Sequence, residues 1–404
     1  MLSFDYSARD TTTNKVIHST VQAESERAAA KVLMAQGIVP LQITEQTGKS
    51  NIWARLTNRV GAKDRVIFTR QLATLINAGL PLAQSLRTLA DQTENKRLVA
   101  VTNDIITSIE GGSTLADAFA KHPEIFNDVF IALIAAGEAS GTLDKALERI
   151  ADQQEKEAEL LSKVRGAMVY PAIVLVVIMG VIAFMLFTII PQIERLYEDL
   201  NKELPLVTAI LVGASNFVIK FWWLLILILI AAGYFAKRYL DTDAGRKWLD
   251  TFKLNVPLFG NLFRKVYMAR FTRTGQTLMS TGVQMLEMLR ISARAVNNIP
   301  IAESIMRAAE KVKGGKSLSS SLKNEPYILS LVPQMIGIGE QSGGIDKMMG
   351  KAATYYENEV DAAVRSISTA IEPVLMVVLA AVAGIMVLAI LLPVYGLIGN
   401  LPGS

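Results

Sequence analysis

Three long apolar stretches dominate the hydrophobic pattern of the chain, at residues 169–190, 217–236 and 374–392. A helix needs about 20 predominantly apolar residues to cross the hydrocarbon core of a bilayer. The first and third stretches carry no charged residue, and the second carries only Lys220, beside Trp222 and Trp223. A lysine next to two tryptophans is typical of the membrane–water interface. The pattern therefore predicts three transmembrane helices.

The polar segments between these stretches show helical spacing interrupted by turn residues. Asp64 is predicted to cap a helix that carries Phe68 and Leu72 on one face, and Gly79 is predicted to end it. Beyond Gly141 the pattern predicts one long helix that runs towards the first apolar stretch. We expect two bundles of such helices, at residues 64–168 and 237–373.

The first 50 residues have a different pattern. Short alternating segments predict three strands, at residues 4–8, 16–18 and 41–43. Apolar positions in 25–36 recur at helical spacing and predict one helix. We expect a small α+β module over residues 1–50, joined to the rest by a polar linker near 47–51.

An internal repeat determines the predicted architecture. Phe68-Thr69-Arg70 recurs 203 positions later as Phe271-Thr272-Arg273. Further matches, at a spacing of 203 or 202 positions, are Gly79 with Gly282, Glu138 with Glu340, Gly141 with Gly343, Asp144 with Asp346 and Pro171 with Pro373. Each unit is a helical domain followed by a membrane helix. The second apolar stretch is an extra element that returns the chain to its starting side, so the duplication is parallel.

Composition supports a mostly α, polytopic membrane protein. Of the 404 residues, 51% are hydrophobic and only 19% are charged, whereas about a quarter are charged in soluble proteins. The chain has no cysteine, which excludes disulfides, thiolate metal sites and cysteine nucleophiles. The net charge of +4 is attributed to loops beside anionic lipid and not to nucleic-acid binding.

The distribution of basic residues predicts the orientation. Lysine and arginine precede the first and third stretches and follow the second, and the connector at 191–216 is net acidic. By the positive-inside rule, the amino terminus and both bundles are expected on the cytoplasmic side. The connector and the tail at 393–404 are expected outside. We therefore predict a multi-pass protein of the inner (cytoplasmic) membrane.

The sharpest repeated motif is Gly-Glu-x-Ser-Gly-x-x-Asp, at residues 137–144 and 339–346. Two interpretations apply. Paired carboxylates and loop carbonyls would bind a hard divalent cation, or the motif ends one helix and places an aspartate at the start of the next. The second interpretation is favoured. The candidate structural or interaction residues are Glu138, Gly141, Asp144, Glu340, Gly343, Asp346, Gly79, Gly282, Pro171 and Pro373.

The motifs that would indicate nucleotide binding, metal binding or catalysis are incomplete. Two Gly-Lys-Ser tripeptides, at 48–50 and 315–317, lack the second glycine that a phosphate-binding loop requires five residues earlier. The two histidines, His18 and His122, lie in separate modules, so we expect no zinc site or catalytic triad and interpret both as solvated surface residues. We predict no enzymatic activity and no cofactor. Because no membrane span carries an ionisable residue in its interior, a small-solute transporter is a disfavoured alternative.

Taken together, the motifs resemble one family. They are the Phe4-x-Tyr6-x-Ala8 start, the Phe-Thr-Arg repeats, both Gly-Glu-x-Ser-Gly loops, Tyr170-Pro171, Glu372-Pro373 and the segment 355–361. The chain resembles the type II secretion system F protein family, the inner-membrane platform proteins of type IV pilus assembly and type II secretion.

The resemblance implies a platform without catalytic activity that forms a homo-oligomer. It also implies contact with a cytoplasmic hexameric assembly ATPase, with pilin or pseudopilin subunits and with other inner-membrane assembly proteins. We expect the two bundles to transmit motion from the ATPase to the spans in type IV pilus biogenesis. The same role in type II secretion is the alternative.

Overall fold

A computed structural model describes residues 2–10, 16–23, 30, 38–45, 60–199, 206–257 and 259–398. The chain divides into two compact units, residues 1–59 and residues 60–404.

The first unit contains a three-stranded antiparallel sheet. Its strands are β1 (Leu2–Asp10), β2 (Val16–Ala23) and β3 (Ile38–Glu45). β1 lies in the centre and pairs with both neighbours, with an irregularity between Ser7 and Ala8 on the β3 side. The residues predicted as strands lie in these three strands. The predicted helix at 25–36, apart from Ala30, and the linker lie outside the described residues, so the α+β character of this module stays a prediction.

In the second unit, the first helical repeat comprises α1 (Ala62–Asn77), α2 (Leu82–Gln92), α3 (Lys96–Glu110), α4 (Leu115–Ala120), α5 (Asp128–Ser140) and α6 (Leu143–Phe184). Polar caps start several of them: Asn95, Thr114 and Asn127 each accept a backbone N–H of the first turn. The prediction for Asp64 was wrong in detail. The helix begins after Gly61, and Asp64 lies in its first turn, where its carboxylate accepts the Gly61 N–H.

The second helical repeat has six corresponding helices, α10 (Gly260–Ser280), α11 (Met285–Val296), α12 (Ile299–Lys313), α13 (Leu318–Leu322), α14 (Leu331–Ser342) and α15 (Ile345–Ile398). Three helices connect the repeats: α7 (Ile190–Asp199), α8 (Leu206–Leu240) and α9 (Asp243–Asn255). Buried apolar side chains of both repeats form one continuous cluster. The equivalent residues Phe68 and Phe271 are both in this cluster and almost fully buried. Their burial accounts for the presence of phenylalanine at this position in both repeats.

Three helices are long and apolar enough to cross a membrane, over Leu143–Asp199, Thr208–Leu240 and Ile345–Leu388. The first two contain the predicted stretches 169–190 and 217–236, and the third covers residues 374–388 of the stretch 374–392, all of which lies in α15. The helices are mostly exposed on the isolated chain, as expected for surfaces that contact lipid or other membrane helices. Pro171 and Pro373 both lie inside continuous helices, so neither proline ends a helix.

The first of these helices contains an irregular turn. Residues Met185–Ile189 form a π-helix between α6 and α7, which leaves backbone groups with non-standard partners. Ser215 of α8 donates its hydroxyl to the Leu186 carbonyl at 2.5 Å. Beside this contact, Ile190 and Val212 are buried together with Met185. The first two membrane helices are thus joined at the irregular turn, and Asn216 also donates to Glu194 of α7 at 2.9 Å.

Candidate functional site

The motif glutamate of the first repeat lies at a corner between two helices. Glu138 is in the last turn of α5, and its carboxylate accepts the backbone N–H groups of Leu115 at 3.0 Å and Ala116 at 3.3 Å. These donors belong to the first turn of α4, which has no intrahelical partners for them. An anion at a helix amino terminus is also favoured by the helix dipole. Glu138 therefore fastens the start of α4 to the end of α5.

The second repeat reproduces this contact. Glu340, in α14, accepts the N–H groups of Leu318 at 2.6 Å and Ser319 at 3.2 Å, and it also accepts the hydroxyl of Ser319. Ser317 caps the same helix through Ser320 N–H. The contact is more extensive than in the first repeat, and Glu340 is half-buried whereas Glu138 is exposed.

The glycines of the motif allow the helices to approach closely. Gly141 and Gly343 follow α5 and α14 with φ of 68° and 70°, a left-handed conformation that favours glycine. Gly137 and Gly339 lie at the helix crossings, where a Cβ on Gly339 would be 2.7 Å from the Cα of Ile345. Since that atom is backbone, any side chain at 339 would push α14 and α15 apart.

The remaining candidate residues take separate positions. Asp144 and Asp346 lie in the first turns of α6 and α15, where a negative charge is favourable. Gly79 and Gly282 follow α1 and α10 with left-handed backbones. Among the described residues, no three His, Cys, Asp or Glu side chains form a group able to hold a metal ion. The geometry of the motif is that of helix capping, and its role in partner contacts stays a prediction.

A bidentate ion pair, present in both helical repeats, holds the first helix of each bundle against the long helix of the same repeat. Arg70, in the Phe-Thr-Arg motif, donates its Nε and Nη2 to the two carboxylate oxygens of Glu155, both at 2.6 Å. Arg273 binds Glu357 in the same way, at 2.9 and 2.7 Å. Hydrogen bonding to Glu155, and then to Asp152, raises the pKa of Arg70. The same bond with Arg70 lowers the pKa of Glu155.

This pair was missed by reasoning from the sequence, although a signal was present. Arg70 and Arg273 are 203 positions apart, and Glu155 and Glu357 are 202 apart. The two spacings are those found before and after the single deletion between the repeats. An arginine and a glutamate that both recur in register are candidates for a pair, and the structure brings them together in both copies.

Polar contacts join the two repeats where α6 packs against the second repeat. Arg270 pairs with Glu157 at 2.9 Å, and Lys163 pairs with Asp361 at 2.6 Å. Arg149 donates to the carbonyl of Ser280, the last residue of α10, at 2.5 Å. Motion of one repeat is therefore resisted by charged contacts to the other.

This interface between the repeats is not fully packed. A pocket of about 420 Å³, half open to the surface, lies between α6 and α10, with Arg149, Asp152, Lys156 and Arg273 in its wall. Within the described residues, Gln153 Oε1 of α6 and Arg270 Nε of α10 are buried in the interface between the repeats without a hydrogen-bond partner. Buried polar atoms without partners are costly, so this polar part of the interface is energetically less favourable than the apolar cluster that both repeats share.

One pair of equivalent positions carries a histidine in the first repeat and a glutamate in the second. His122 contacts Asp104 at 2.8 Å, and its side chain is only 16% exposed. The interpretation of His122 as a solvated surface residue was therefore wrong. The equivalent carboxylate in the second repeat is Glu325, which pairs with Arg307 and Lys311 at 2.9 and 2.6 Å. Burial acts to raise the pKa of Glu325, but the hydrogen bonds from these cations outweigh burial and lower it.

His18 lies in β2, and its side chain is outside the described part of the chain. The first Gly-Lys-Ser tripeptide, at 48–50, also lies outside the described residues. The second is the turn between α12 and α13, where Ser317 is the helix cap.

Comparison with known proteins matches both repeats to one family. The profile of type II secretion system (T2SS) protein F matches residues 68–191 and again 271–393. The profile of the type II secretion system protein F N-terminal domain matches residues 1–44. The two matches to one profile confirm the duplication inferred from the sequence.

Relatives named for type IV pilus assembly and for type II secretion both align over nearly the whole chain. It is 39% identical over 403 residues to the type IV pilus assembly protein PilC of Thermus thermophilus, covering 98% of both chains. It is 34% identical to PilC of Pseudomonas aeruginosa, covering 92% of this chain and 98% of the relative. It is 33% identical to the type II secretion system protein F of Pseudomonas aeruginosa, covering 98% and 99% respectively.

Proposed function

The chain belongs to the type II secretion system protein F family, and on that premise we propose that it is the inner-membrane platform that couples a cytoplasmic assembly ATPase to pilin polymerisation in type IV pilus biogenesis. The relatives named for pilus assembly and for type II secretion support a platform role in general. The platform itself has no catalytic role in this proposal, because the energy comes from the ATPase.

The observation that carries the proposal is the continuity of the long helices. The segment Leu143–Asp199 is helical throughout its 57 residues, a length of about 85 Å at 1.5 Å per residue. α15 is helical over 54 residues, or about 80 Å. Each begins in a bundle and continues into an apolar span, so a displacement of the bundle moves the membrane segment.

Two features restrict how such a displacement is transmitted. The pairs Arg70–Glu155 and Arg273–Glu357 hold the first helix of each bundle against the long helix. The two repeats share one apolar cluster and are also held together by separate charged contacts. Each bundle therefore moves with its own membrane helix, and the shared cluster and the charged contacts pass that motion from one repeat to the other.

The partners in this proposal are the hexameric ATPase on the cytoplasmic bundles, pilin subunits and other inner-membrane assembly proteins beside the spans, membrane lipid, and further copies of the chain. The amino terminus and both bundles face the cytoplasm, and the carboxyl terminus lies outside. The basic residues Lys237 and Arg238, in the last turn of α8, support this orientation by the positive-inside rule.

The same platform role in a type II secretion system is the second candidate, and the 33% identity to a secretion protein F over 98% of the chain favours it. A small-solute transporter remains the candidate of a different class. It is disfavoured because the described spans place no acidic side chain in their apolar interior.

The continuity of α6 is tested by inserting Gly-Pro-Gly after Arg165, between the bundle and the first span. Proline and glycine interrupt a helix, so the bundle and the span would no longer move together. We expect the variant to insert into the membrane and to bind the ATPase, but to assemble no filaments. The control is the same insertion in the turn between Gly111 and Gly112, which leaves α6 intact. Filament assembly by the Arg165 insertion variant would contradict the proposal.

A further inference from the structure

The helix α9 starts immediately after the second membrane span. α8 ends at Leu240, four residues beyond the predicted end of the apolar stretch and thus about 6 Å along the helix. Thr242 then caps α9 by accepting the Gly245 N–H at 3.1 Å. A Cβ on Gly245 would lie 2.0 Å from the Tyr239 carbonyl oxygen. The chain therefore turns tightly, and α9 begins beside the end of the span.

One side of α9 is fixed to the second bundle. Asp250 is 9% exposed and accepts the Ile299 N–H, at the start of α12, at 3.1 Å. Leu254 is buried, and Gly245 is buried against α8. These contacts determine which side of the helix faces outward.

The outward side carries two aromatic rings in contact. Trp248 and Phe252 are one helical turn apart, with ring centroids 5.5 Å apart and planes 11° from parallel. Their exposed fractions are 57% and 54%. Tyr239, at the end of α8, is also more than half exposed. Two exposed rings in contact, on a surface that no described part of the second unit covers, form a small apolar patch of the kind that marks an interaction site.

The position and the charge of this surface favour lipid as that partner. Tryptophan and other aromatic residues are enriched at the level of the headgroups, and Trp248 lies about 8 Å from the start of α9. The segment 237–253 carries five basic and three acidic residues. Of the acidic residues, Asp250 is buried and paired with Lys253 at 3.0 Å. The exposed Lys237 and Arg238 complement anionic phosphates.

We propose that α9 lies on the cytoplasmic surface of the membrane, with Trp248 and Phe252 inserted into the headgroup layer and Lys237 and Arg238 beside anionic lipid phosphates. This contact anchors the second bundle to the bilayer at the exit of the second span. The inference rests on the membrane placement in the proposed function.

The test uses the full-length chain in vesicles of phosphatidylethanolamine and phosphatidylglycerol. Replacing Trp53, Trp222 and Trp223 with phenylalanine leaves Trp248 as the only tryptophan. Lipids brominated on the acyl chain near the headgroup quench nearby tryptophans. We expect these lipids to reduce Trp248 emission strongly, and the emission maximum to lie to the blue of an exposed tryptophan.

Two matched controls separate this inference from the proposed function. A variant that keeps only Trp223, in the second span, reports whether the chain is in the bilayer at all. A variant in which the sole tryptophan is introduced by Ile338→Trp reports a bundle surface far from the bilayer, since Ile345 starts α15 about 44 Å before the third apolar stretch. Quenching of Trp223 but not of Trp248 overturns the inference and leaves the membrane placement intact. Absence of quenching at Trp223 contradicts both.

A second probe avoids the multiple tryptophan replacements. Because the chain has no cysteine, Phe252→Cys provides a single thiol for an environment-sensitive fluorophore in an otherwise unchanged protein. Spin-labelled lipid is expected to quench this label and to leave a label at Ile338→Cys unaffected. Equal responses at the two positions overturn the inference. A label protected from both lipid and aqueous quenchers also overturns it, since that result assigns the surface to a protein partner.

Discussion

Glu340 provides the most specific prediction, because its contacts are confined to one helix turn and its loss leaves identified donors without partners. Replacing it with alanine removes the acceptor for Leu318 N–H, at 2.6 Å, and for the N–H and hydroxyl of Ser319. Loss of a helix-capping acceptor costs about 0.5–2 kcal/mol, and hydrogen bonds to charged groups contribute about 1.5–3 kcal/mol. Since these donors lie in a first turn that water reaches in part, we expect about 2 kcal/mol for Glu340→Ala.

The assay is hydrogen exchange of residues 315–323, followed by mass spectrometry on the intact chain in detergent. The amides of a first helical turn exchange fast unless an outside acceptor protects them. A loss of about 2 kcal/mol corresponds to exchange roughly 30-fold faster. Glu138→Ala should have a smaller effect on residues 112–120, about fivefold for about 1 kcal/mol. Glu138 is exposed, and no hydroxyl adds to its two contacts among the described residues.

Glu310→Ala, at an exposed carboxylate of α12, is the matched control and should leave exchange in 315–323 unchanged. Glu340→Gln keeps an acceptor oxygen but loses the charge, so its effect should lie between the wild type and Glu340→Ala. Unchanged protection of residues 315–323 in Glu340→Ala would refute the capping account of this motif.

Three further predictions concern the packing and the ion pairs. Gly339→Ala places a Cβ 2.7 Å from Ile345 Cα, and this overpacking should cost about 1–3 kcal/mol, seen as a lower melting temperature. Arg273→Glu and Glu357→Arg should each destabilise the second bundle, and the double variant should recover about 0.5–1 kcal/mol in a double-mutant cycle. The lowered pKa of Glu155 means that its pair contributes stability at neutral pH and above and loses it as the pH falls through that pKa. The difference in melting temperature between the wild type and Glu155→Gln should therefore shrink in acid.

Each of these predictions has its own control. Gly337→Ala, where a Cβ would meet Ser319 at 3.4 Å, should be tolerated better than Gly339→Ala, and equal effects would contradict the packing argument. If the double variant recovers no stability, Arg273 and Glu357 do not stabilise the bundle as a pair. A melting difference for Glu155→Gln that stays constant from neutral to acid pH would contradict the lowered pKa.

Features determined by local sequence could be predicted. The apolar spans required only length and lack of charge, and each lies in a helix of the structure. Turn glycines such as Gly79 and Gly282 were identifiable because few other residues adopt their left-handed backbone. The repeat added the correspondence of the two bundles, which single patterns do not give.

Features that depend on tertiary contacts were missed. The Glu138 carboxylate binds a helix that starts 23 residues earlier, and no local pattern indicates that contact. No local pattern identifies the partner of His122 either, which is the Asp104 carboxylate of α3, 18 residues earlier. The π-helix at Met185–Ile189 was also missed, and Ser215 of another helix donates to its Leu186 carbonyl.

The central claim is that the chain is the platform on which a pilus is assembled. It is tested most directly by co-purification from detergent-solubilised membranes, with this chain tagged and the bound proteins identified by mass spectrometry. The account predicts recovery of a hexameric assembly ATPase together with pilin subunits. Recovery of the intact chain with neither of these partners would contradict it.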